Sequence, residues 1–290
     1  MLPTPCTSHV PLDTIYEPAE DSYLFLDSLS APSESAWLAA RFAAPSAAPL
    51  LIEVGSGSGV VLAFTAGNSE LILGRRDVLA LGTDVNRGAC LATRETVEKA
   101  VRQRQVASAT DETDGLEASE LGTENNEVKM KTLLLSAQTA DLVSSLRDHS
   151  VDILLFNPPY VPTEEVPDLP ESPEAEQQHP PGGPMSKFDS DSYFLSLTYA
   201  GGPDGMRTTA RLLEAIPRVL DPARGVAYVL LCRQNRPADV VDGIRAWGGG
   251  WTAEVVGDSG GKAGWEKLVI VRIWRGEKDT SQLNIHNAAD

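Results

Sequence analysis

The sequence predicts a doubly wound α/β fold: a seven-stranded, mostly parallel sheet covered by helices on both faces. Three observations predict it. Apolar runs of strand length alternate along the chain with segments of helix length. Most of these runs are continuously apolar, which is typical of strands that are buried on both faces. The 290 residues are also enough for one large hydrophobic core.

Each element can be predicted in chain order. A first helix is expected within Tyr16–Leu29, where Pro18 and acidic residues precede apolar residues at near-helical spacing, and Ala36–Phe42 continues as helix. Strands are predicted at Leu50–Gly55, Val78–Val85, Met130–Ser136, Val151–Asn157, Gly225–Cys232, Thr252–Val256 and Lys267–Trp274. Further helices are predicted at Val60–Gly67, Arg87–Arg104, Thr208–Val219 and Pro237–Trp247.

Two acidic stretches interrupt this alternation. Residues 105–129 and 162–186 contain too few apolar side chains to offset the entropy of an ordered chain, so we expect mobile insertions there. The expected organisation is an N-terminal arm and helix over 1–46, one α/β domain over 47–275 and a flexible tail over 276–290.

The net charge of −17 belongs mostly to these insertions. Thirteen of the 41 acidic residues lie in the spans 111–127 and 164–178, which contain no Lys or Arg, and this leaves 28 acidic residues against 24 Lys and Arg. A negative surface disfavours nonspecific binding to nucleic acid and to anionic membranes. Because the remainder is nearly balanced, a nucleic-acid substrate is disfavoured less by the net charge than by the missing recognition domain and the missing Lys/Arg cluster.

The cysteines and histidines indicate neither a disulfide framework nor a metal site. The three cysteines are far apart and the four histidines are scattered, so no metal ligand set is predicted. The first residues lack the pattern of a secretory signal, and no apolar run approaches the roughly 20 residues that span a bilayer. We therefore expect a cytoplasmic protein that is not attached to membranes, with the nucleus as a second location.

A glycine-rich loop follows the first predicted strand. The segment EVGSGSG, Glu53 to Gly59, places glycines where the backbone can approach a ligand at the start of a helix. Its GxGxG spacing differs from the GxGxxG spacing of dinucleotide sites. It suits a ligand without pyrophosphate, such as S-adenosylmethionine, although a purely structural turn is an alternative.

Two aspartates at strand ends are candidates for binding a nucleoside. Asp84 ends the second strand, where a carboxylate can accept hydrogen bonds from both ribose hydroxyls. Asp141, after the third strand, could accept one from an adenine amino group. Each could instead cap the helix that follows: the one near Arg87, or the one predicted over Leu142–Arg147.

The segment NPPY is the sharpest signal in the sequence. Asn157, Pro158, Pro159 and Tyr160 follow the fourth strand, at the sheet edge where ligands of α/β proteins bind. The Asn157 side-chain oxygen and the Pro158 carbonyl can hold both hydrogens of a planar NH₂ group while the Tyr160 ring packs on its plane. Such an arrangement predicts methylation of an amide or exocyclic amine nitrogen.

These motifs resemble a known family. EVGSGSG, Asp84 and NPPY, in this order, are similar to Rossmann-like class I methyltransferases. The opening segment YEPAEDS, with AGGPDG at Ala200–Gly205, resembles the HemK-type glutamine methyltransferases of the eukaryotic release-factor class. The resemblance covers most of residues 10–275 outside the acidic stretches. It implies S-adenosylmethionine-dependent N5-methylation of the glutamine in the Gly-Gly-Gln loop of the translation termination release factor.

The resemblance also implies a role for each matching residue. The catalytic residues would be Asn157, Pro158 and Tyr160, with Tyr16, Glu20 and Pro159 completing the substrate site. The cofactor would contact Ser22, Glu53, Gly55, Gly57, Asp84, Asp141, Leu142 and Asn157, with Glu53, Gly55 and Gly57 at its methionine part.

A partner is implied as well. The resemblance implies that the chain is one subunit of a heterodimer, whose other subunit is a small zinc-binding methyltransferase activator protein. The expected contact is the apolar third strand, Met130–Ser136, which would otherwise form an exposed sheet edge. The alternatives to the glutamine methyltransferase are methylation of a lysine in another protein, adenine-N6 methylation of nucleic acid, and a scaffold without activity.

Overall fold

A computed structural model of the chain, which describes residues 2–106, 131–169, 186–260 and 267–276, confirms the predicted fold class. Its seven strands form one sheet in the order β3-β2-β1-β4-β5-β7-β6. Strands β1 to β5 pair in parallel, whereas β7 is antiparallel to both of its neighbours, β5 and β6. The strands are Leu50–Val54 (β1), Leu79–Asp84 (β2), Leu133–Thr139 (β3), Ile153–Phe156 (β4), Val226–Cys232 (β5), Trp251–Asp258 (β6) and Leu268–Arg275 (β7).

Helices cover both faces of the sheet. The α-helices are Glu20–Leu29 (α1), Pro32–Arg41 (α2), Val60–Gly67 (α3), Ser69–Leu73 (α4), Arg87–Val101 (α5), Lys187–Tyr199 (α6), Arg207–Val219 (α7) and Pro237–Arg245 (α8). One face carries the core formed with α1 to α5, and the other carries the core formed with α7 and α8. Neighbouring residues of a strand divide between the two cores: Leu51 packs on one side and Ile52 on the other, which explains the continuously apolar runs.

The third strand lies three residues beyond its predicted position. We predicted Met130–Ser136, but β3 begins at Leu133, whose N–H donates to the Val78 carbonyl at 2.8 Å. Pairing with β2 extends β3 to Thr139, opposite Asp84. As predicted, β3 is an edge of the sheet, and its Leu133 and Leu135 are 53% and 50% exposed.

The boundaries of both acidic stretches also differ from the prediction. Gln105 is buried, accepts a hydrogen bond from the Thr132 N–H at 2.8 Å and donates one to the Ala66 carbonyl at 2.9 Å. It is therefore part of the core rather than of an insertion. Residues 162–169 are described too, and two of them line the cavity discussed below. The rest of both stretches, and the tail from residue 277, lie outside the described residues.

Helix α6 was not predicted from the sequence. Ser186 caps it by accepting a hydrogen bond from the Asp189 N–H at 3.2 Å, yet none of its residues is fully buried. It lacks the apolar stripe by which an amphipathic helix is recognised. Within the described part of the chain, the helices are all too short or too polar to cross a membrane.

A buried ion pair joins the N-terminal helices to the last strand. The Arg272 guanidinium of β7 donates to both Glu34 carboxylate oxygens of α2, at 2.9 and 2.8 Å. It also lies 4.1 Å from the centroid of the Trp37 ring and 4.5 Å from that of Trp274. The Tyr228 hydroxyl of β5 donates to Glu34. Burial, together with the Glu34 carboxylate, raises the pKa of Tyr228.

Candidate active site

A cavity lies at the carboxyl ends of β1, β2 and β4, and most of the predicted site residues line it. Those that do are Tyr16, Ser22, Glu53, Gly55, Gly57, Asp84, Asp141, Leu142, Asn157, Pro158 and Pro159. Two predicted residues do not line it, Glu20 and Tyr160. Glu20 is an exposed residue at the start of α1, so its side chain is solvated rather than directed into the cavity.

The glycine loop between β1 and α3 has the backbone that its glycines permit. Gly55 and Gly57 have φ of 62° and 51°, in the left-handed region that favours glycine. At Gly59, φ is 74° and a Cβ would lie 2.7 Å from the Cα of Thr93. The loop thus packs tightly on α5, and its cavity side is left open for a ligand.

Glu53, the first residue of this motif, is a buried acid at the base of the cavity. Its Oε2 accepts a hydrogen bond from the Leu62 N–H at 2.9 Å. Burial raises the pKa of Glu53 from 4.5 to about 8, and the neighbouring Asp84 adds to the rise. A cationic ligand would stabilise the ionised form and lower this pKa again.

Asp84 occupies the position expected of a ribose-binding carboxylate. Its Oδ2 accepts from the Gly57 N–H at 2.9 Å and its Oδ1 from the Asn86 N–H at 2.8 Å. Burial raises the pKa of Asp84. The residue that caps α5 is Asn86, whose Oδ1 accepts from the Gly88 N–H at 2.8 Å, so the capping alternative for Asp84 is excluded. Each carboxylate oxygen can accept further hydrogen bonds from a ligand.

Asp141 and Leu142 form the wall of the cavity after β3. The Asp141 carboxylate pairs with Arg211 of α7 instead of capping a helix, since residues 142–145 form turns and no helix follows in the described residues before β4. Leu142 has φ of 50°, and its carbonyl accepts from the Thr83 hydroxyl at 3.0 Å. A leucine held in this left-handed conformation is costly, and such backbone is concentrated at functional sites.

Asn157 presents an unused acceptor at the end of β4. Its Nδ2 donates to the Asp21 Oδ2 at 3.0 Å. Its Oδ1 is buried and has no hydrogen-bond partner among the described residues. A buried carbonyl oxygen without a partner is costly, and a ligand N–H in this cavity would satisfy it. Pro158 and Pro159 line the cavity beside it.

Tyr160 lies in the core rather than in the cavity. Its side chain is 8% exposed and belongs to the apolar cluster beneath α1 to α5. The glycines of AGGPDG shape the backbone around it: a Cβ on Gly205 would lie 2.0 Å from the Tyr160 carbonyl oxygen, and one on Gly201 would lie 2.7 Å from that of Pro159. This segment therefore holds the NPPY backbone, and the predicted stacking of Tyr160 on the substrate would require its ring to leave the core.

Sequence reasoning missed several residues of the site. Asp21, only 3% exposed, lies within the YEPAEDS segment, but its contact with Asn157 joins positions 136 residues apart. The cavity also has an apolar roof that was assigned to an insertion or to no element. It consists of Val166 and Leu169 from the second acidic stretch and Phe194 and Leu197 from α6.

Comparisons with known proteins agree with this geometry. The chain is 29% identical to the eRF1 methyltransferase catalytic subunit mtq2 of Schizosaccharomyces pombe, over 95% of this chain and 96% of the relative. It is also 29% identical to the methyltransferase HEMK2 of Mus musculus, over 94% and 96% of the two chains. The same identity extends over 82% of each chain for the HEMK2 of Homo sapiens. No protein-family model matches the chain.

Solved structures with a similar chain path include the N-terminal domain of human METTL16 in complex with SAH. It has a TM-score of 0.42 and 12% identity, over 91% of this chain and 74% of that one. A putative class I methyltransferase from Listeria monocytogenes has a TM-score of 0.39 and 14% identity, over 91% and 64%.

The glycine loop, the buried carboxylates and the Asn157 Oδ1, which no described residue contacts through a hydrogen bond, fit S-adenosylmethionine, which carries an ammonium, a ribose and a sulfonium. The relatives named above match nearly the whole chain at a comparable length. The chain is similar over nearly its whole length to HemK-type class I methyltransferases, and it is an enzyme that uses S-adenosylmethionine as the methyl donor.

Proposed function

We propose that this enzyme transfers a methyl group to the N5 nitrogen of the glutamine in the Gly-Gly-Gln loop of the release factor eRF1. The observation that carries the proposal is the buried Oδ1 of Asn157 in the cavity, which has no hydrogen-bond partner in the described part of the chain. An acceptor at this position suits a planar NH₂ group. The fission yeast relative is named an eRF1 methyltransferase, which supports this choice of substrate.

The chain's own residues would orient the glutamine and exclude water. Amide nitrogens are weak nucleophiles because their lone pair is delocalised into the carbonyl. Hydrogen bonds from the NH₂ group to the Asn157 Oδ1 and the Pro158 carbonyl would increase its electron density and fix its direction. The roof residues Val166 and Phe194 would shield the site from solvent. Bound S-adenosylmethionine supplies an electrophilic methyl group on its sulfonium.

The cofactor would be held by the acids and glycines of the cavity. Glu53 would face the methionine part and Asp84 the ribose, while Asp141 and Leu142 would contact the adenine. The Asp141 carboxylate would then have to contact both Arg211 and the adenine, or give up its ion pair with Arg211. This ion pair is half exposed, so its loss would cost less than about 1 kcal/mol.

The direct test supplies the enzyme, purified with and without the activator protein, and labelled S-adenosylmethionine with eRF1, with its Gln→Ala loop variant, or with DNA. We expect label on eRF1 and none on the variant. Label that persists on the variant, label on DNA, or label confined to lysine would each contradict the glutamine assignment. The last of these would favour the lysine alternative.

We also propose that the enzyme works as a heterodimer with a small zinc-binding activator protein that covers β3. Leu133 and Leu135 expose apolar side chains on this sheet edge, which invites pairing with another chain. The fission yeast relative is named a catalytic subunit, which supports a second subunit.

A pair of charge substitutions tests this interface. The double variant L133E/L135E should abolish co-purification with the activator, because it places carboxylates in the expected contact. The matched control is L71E on α4, since Leu71 is an equally apolar side chain that is 63% exposed elsewhere. Equal binding of both variants would exclude the β3 edge as the interface.

The location of the enzyme is a further proposal. We infer that it acts in the cytoplasm, where eRF1 functions, with the nucleus as a second compartment. Imaging of a fluorescent fusion expressed at native level would contradict this if the signal were confined to a membrane-bounded organelle other than the nucleus.

A further inference from the structure

The carboxylate of Asp21 constrains how the Asn157 side chain is oriented. Asp21 Oδ1 accepts from the Ser22 N–H at 2.6 Å, and its Oδ2 accepts from the Asn157 Nδ2 at 3.0 Å. A carboxylate accepts hydrogen bonds on both oxygens. Only the NH₂ end of the Asn157 amide can therefore face Asp21, and the oxygen must face the other way.

Asp21 is itself held firmly. It lies in the first turn of α1, where backbone N–H groups lack partners within the helix and favour an acid. Its side chain is 3% exposed, so water competes little for either carboxylate oxygen. Hydrogen bonds through the Asp21 carboxylate thus connect the α1 backbone to the Asn157 amide.

We propose that Asp21 is a positioning residue that keeps the Asn157 Oδ1 directed at the NH₂ group to be methylated. The role of this NH₂ group rests on the proposed function. Without the carboxylate, the Asn157 amide could rotate and present its own NH₂ group. A donor would then face the substrate donor, and the glutamine would no longer be oriented.

The isosteric variant D21N separates this role from packing. The Ser22 N–H would hold the new amide oxygen, and the new NH₂ group would face Asn157, which must then turn its oxygen away from the substrate. We expect kcat for eRF1 to fall by about 100-fold or more, while affinity for S-adenosylmethionine changes by less than about threefold. The matched control is D27N, which removes an exposed carboxylate from the same helix and should leave kcat unchanged.

A reciprocal exchange provides the decisive comparison. In D21N/N157D, the amide introduced on α1 donates to one oxygen of the carboxylate introduced after β4, and the second oxygen of that carboxylate again faces the substrate as an acceptor. N157D alone places two carboxylates against each other and should be inactive. We expect the double variant to recover at least tenfold in kcat over D21N. A double variant no more active than either single variant would overturn the proposal, as would a loss in D21N explained wholly by weaker cofactor binding.

A measurement made without substrate tests the positioning role of Asp21 separately from the proposed function. In ¹⁵N-labelled wild-type protein, the Asn157 side-chain amide protons should exchange slowly with solvent, because one of them is bonded to Asp21. In D21N that protection should be lost. If eRF1 is not the substrate, wild-type transfer fails and the protection remains; if Asp21 is not the positioning residue, the protection is the same in both proteins.

Discussion

Replacing Glu53 by glutamine should make the stability of the ligand-free enzyme less sensitive to pH. The pKa of Glu53 is raised from 4.5 to about 8, chiefly by burial. Between these values the folded protein keeps a proton that the unfolded chain has released. The contribution of Glu53 to the free energy of unfolding is therefore fully present below pH 4.5 and is lost as the pH rises through about 8.

The size of the effect follows from the shift. Each pH unit between the two pKa values lowers the free energy of unfolding by about 1.4 kcal/mol, and the full loss above pH 8 is about 5 kcal/mol. Glutamine does not ionise, and its side-chain oxygen can still accept from the Leu62 N–H. The E53Q variant should equal the wild type at and below about pH 4.5 and become progressively more stable than it toward pH 8.

Urea denaturation without cofactor, at several pH values from 5 to 8.5, measures this difference. The control E98Q removes an exposed carboxylate from α5 and reports any general effect of losing one negative charge. A stability difference between E53Q and wild type that stays constant across this range would refute the reasoning. Binding of S-adenosylmethionine at pH 7 should also release a proton from wild type but not from E53Q, which calorimetry in buffers of different ionisation enthalpy would detect.

Four further substitutions have defined outcomes. Asn157→Ala should abolish transfer while calorimetry shows nearly unchanged affinity for S-adenosylmethionine; a large loss of affinity would mean that the residue mainly holds the cofactor. Gly205→Ala places a Cβ 2.0 Å from a carbonyl oxygen at φ of 67°, and should lower the free energy of unfolding by about 2–4 kcal/mol in urea titrations. A loss below about 0.5 kcal/mol would mean that the loop moves freely. Glu34→Ala leaves the buried Arg272 without its main partner and should cost about 3–5 kcal/mol. In contrast, Glu254→Ala, which removes a half-exposed partner of the same guanidinium, should cost less than about 1 kcal/mol; equal losses would contradict this ranking.

The sequence was informative where the physics is local. The glycines of EVGSGSG, the strand-end Asp84 and the prolines of NPPY each have conformational requirements that can be recognised without knowing the neighbours. The start of β3 cannot be recognised from local sequence in this way, because its pairing with β2, rather than its leucines alone, determines where the strand begins.

The parts that were missed depend on distant contacts. In the sequence, Asp21 looks like any acidic residue in the first turn of a helix, and only its contact with Asn157 distinguishes it. Tyr160 was expected in the cavity because it follows the prolines, yet the packing of Gly205 against its backbone accompanies a ring placed in the core. Helix α6 is stabilised by its Ser186 cap and by covering the cavity, and neither produces an apolar repeat.

The position of β7 between β5 and β6 constrains how the enzyme can fold during its synthesis. In the described sheet, β6 pairs with β7 alone, so β6 cannot join the sheet before the ribosome has added Leu268–Arg275. Until then β5 has an unpaired edge, and Glu34 lacks its partner Arg272, which lies 238 positions later in the chain. A nascent chain that stalls before this point exposes an unpaired strand and an uncompensated carboxylate. Pairing of β7, the last described strand, thus closes the open edge of β5 and gives Glu34 its buried partner.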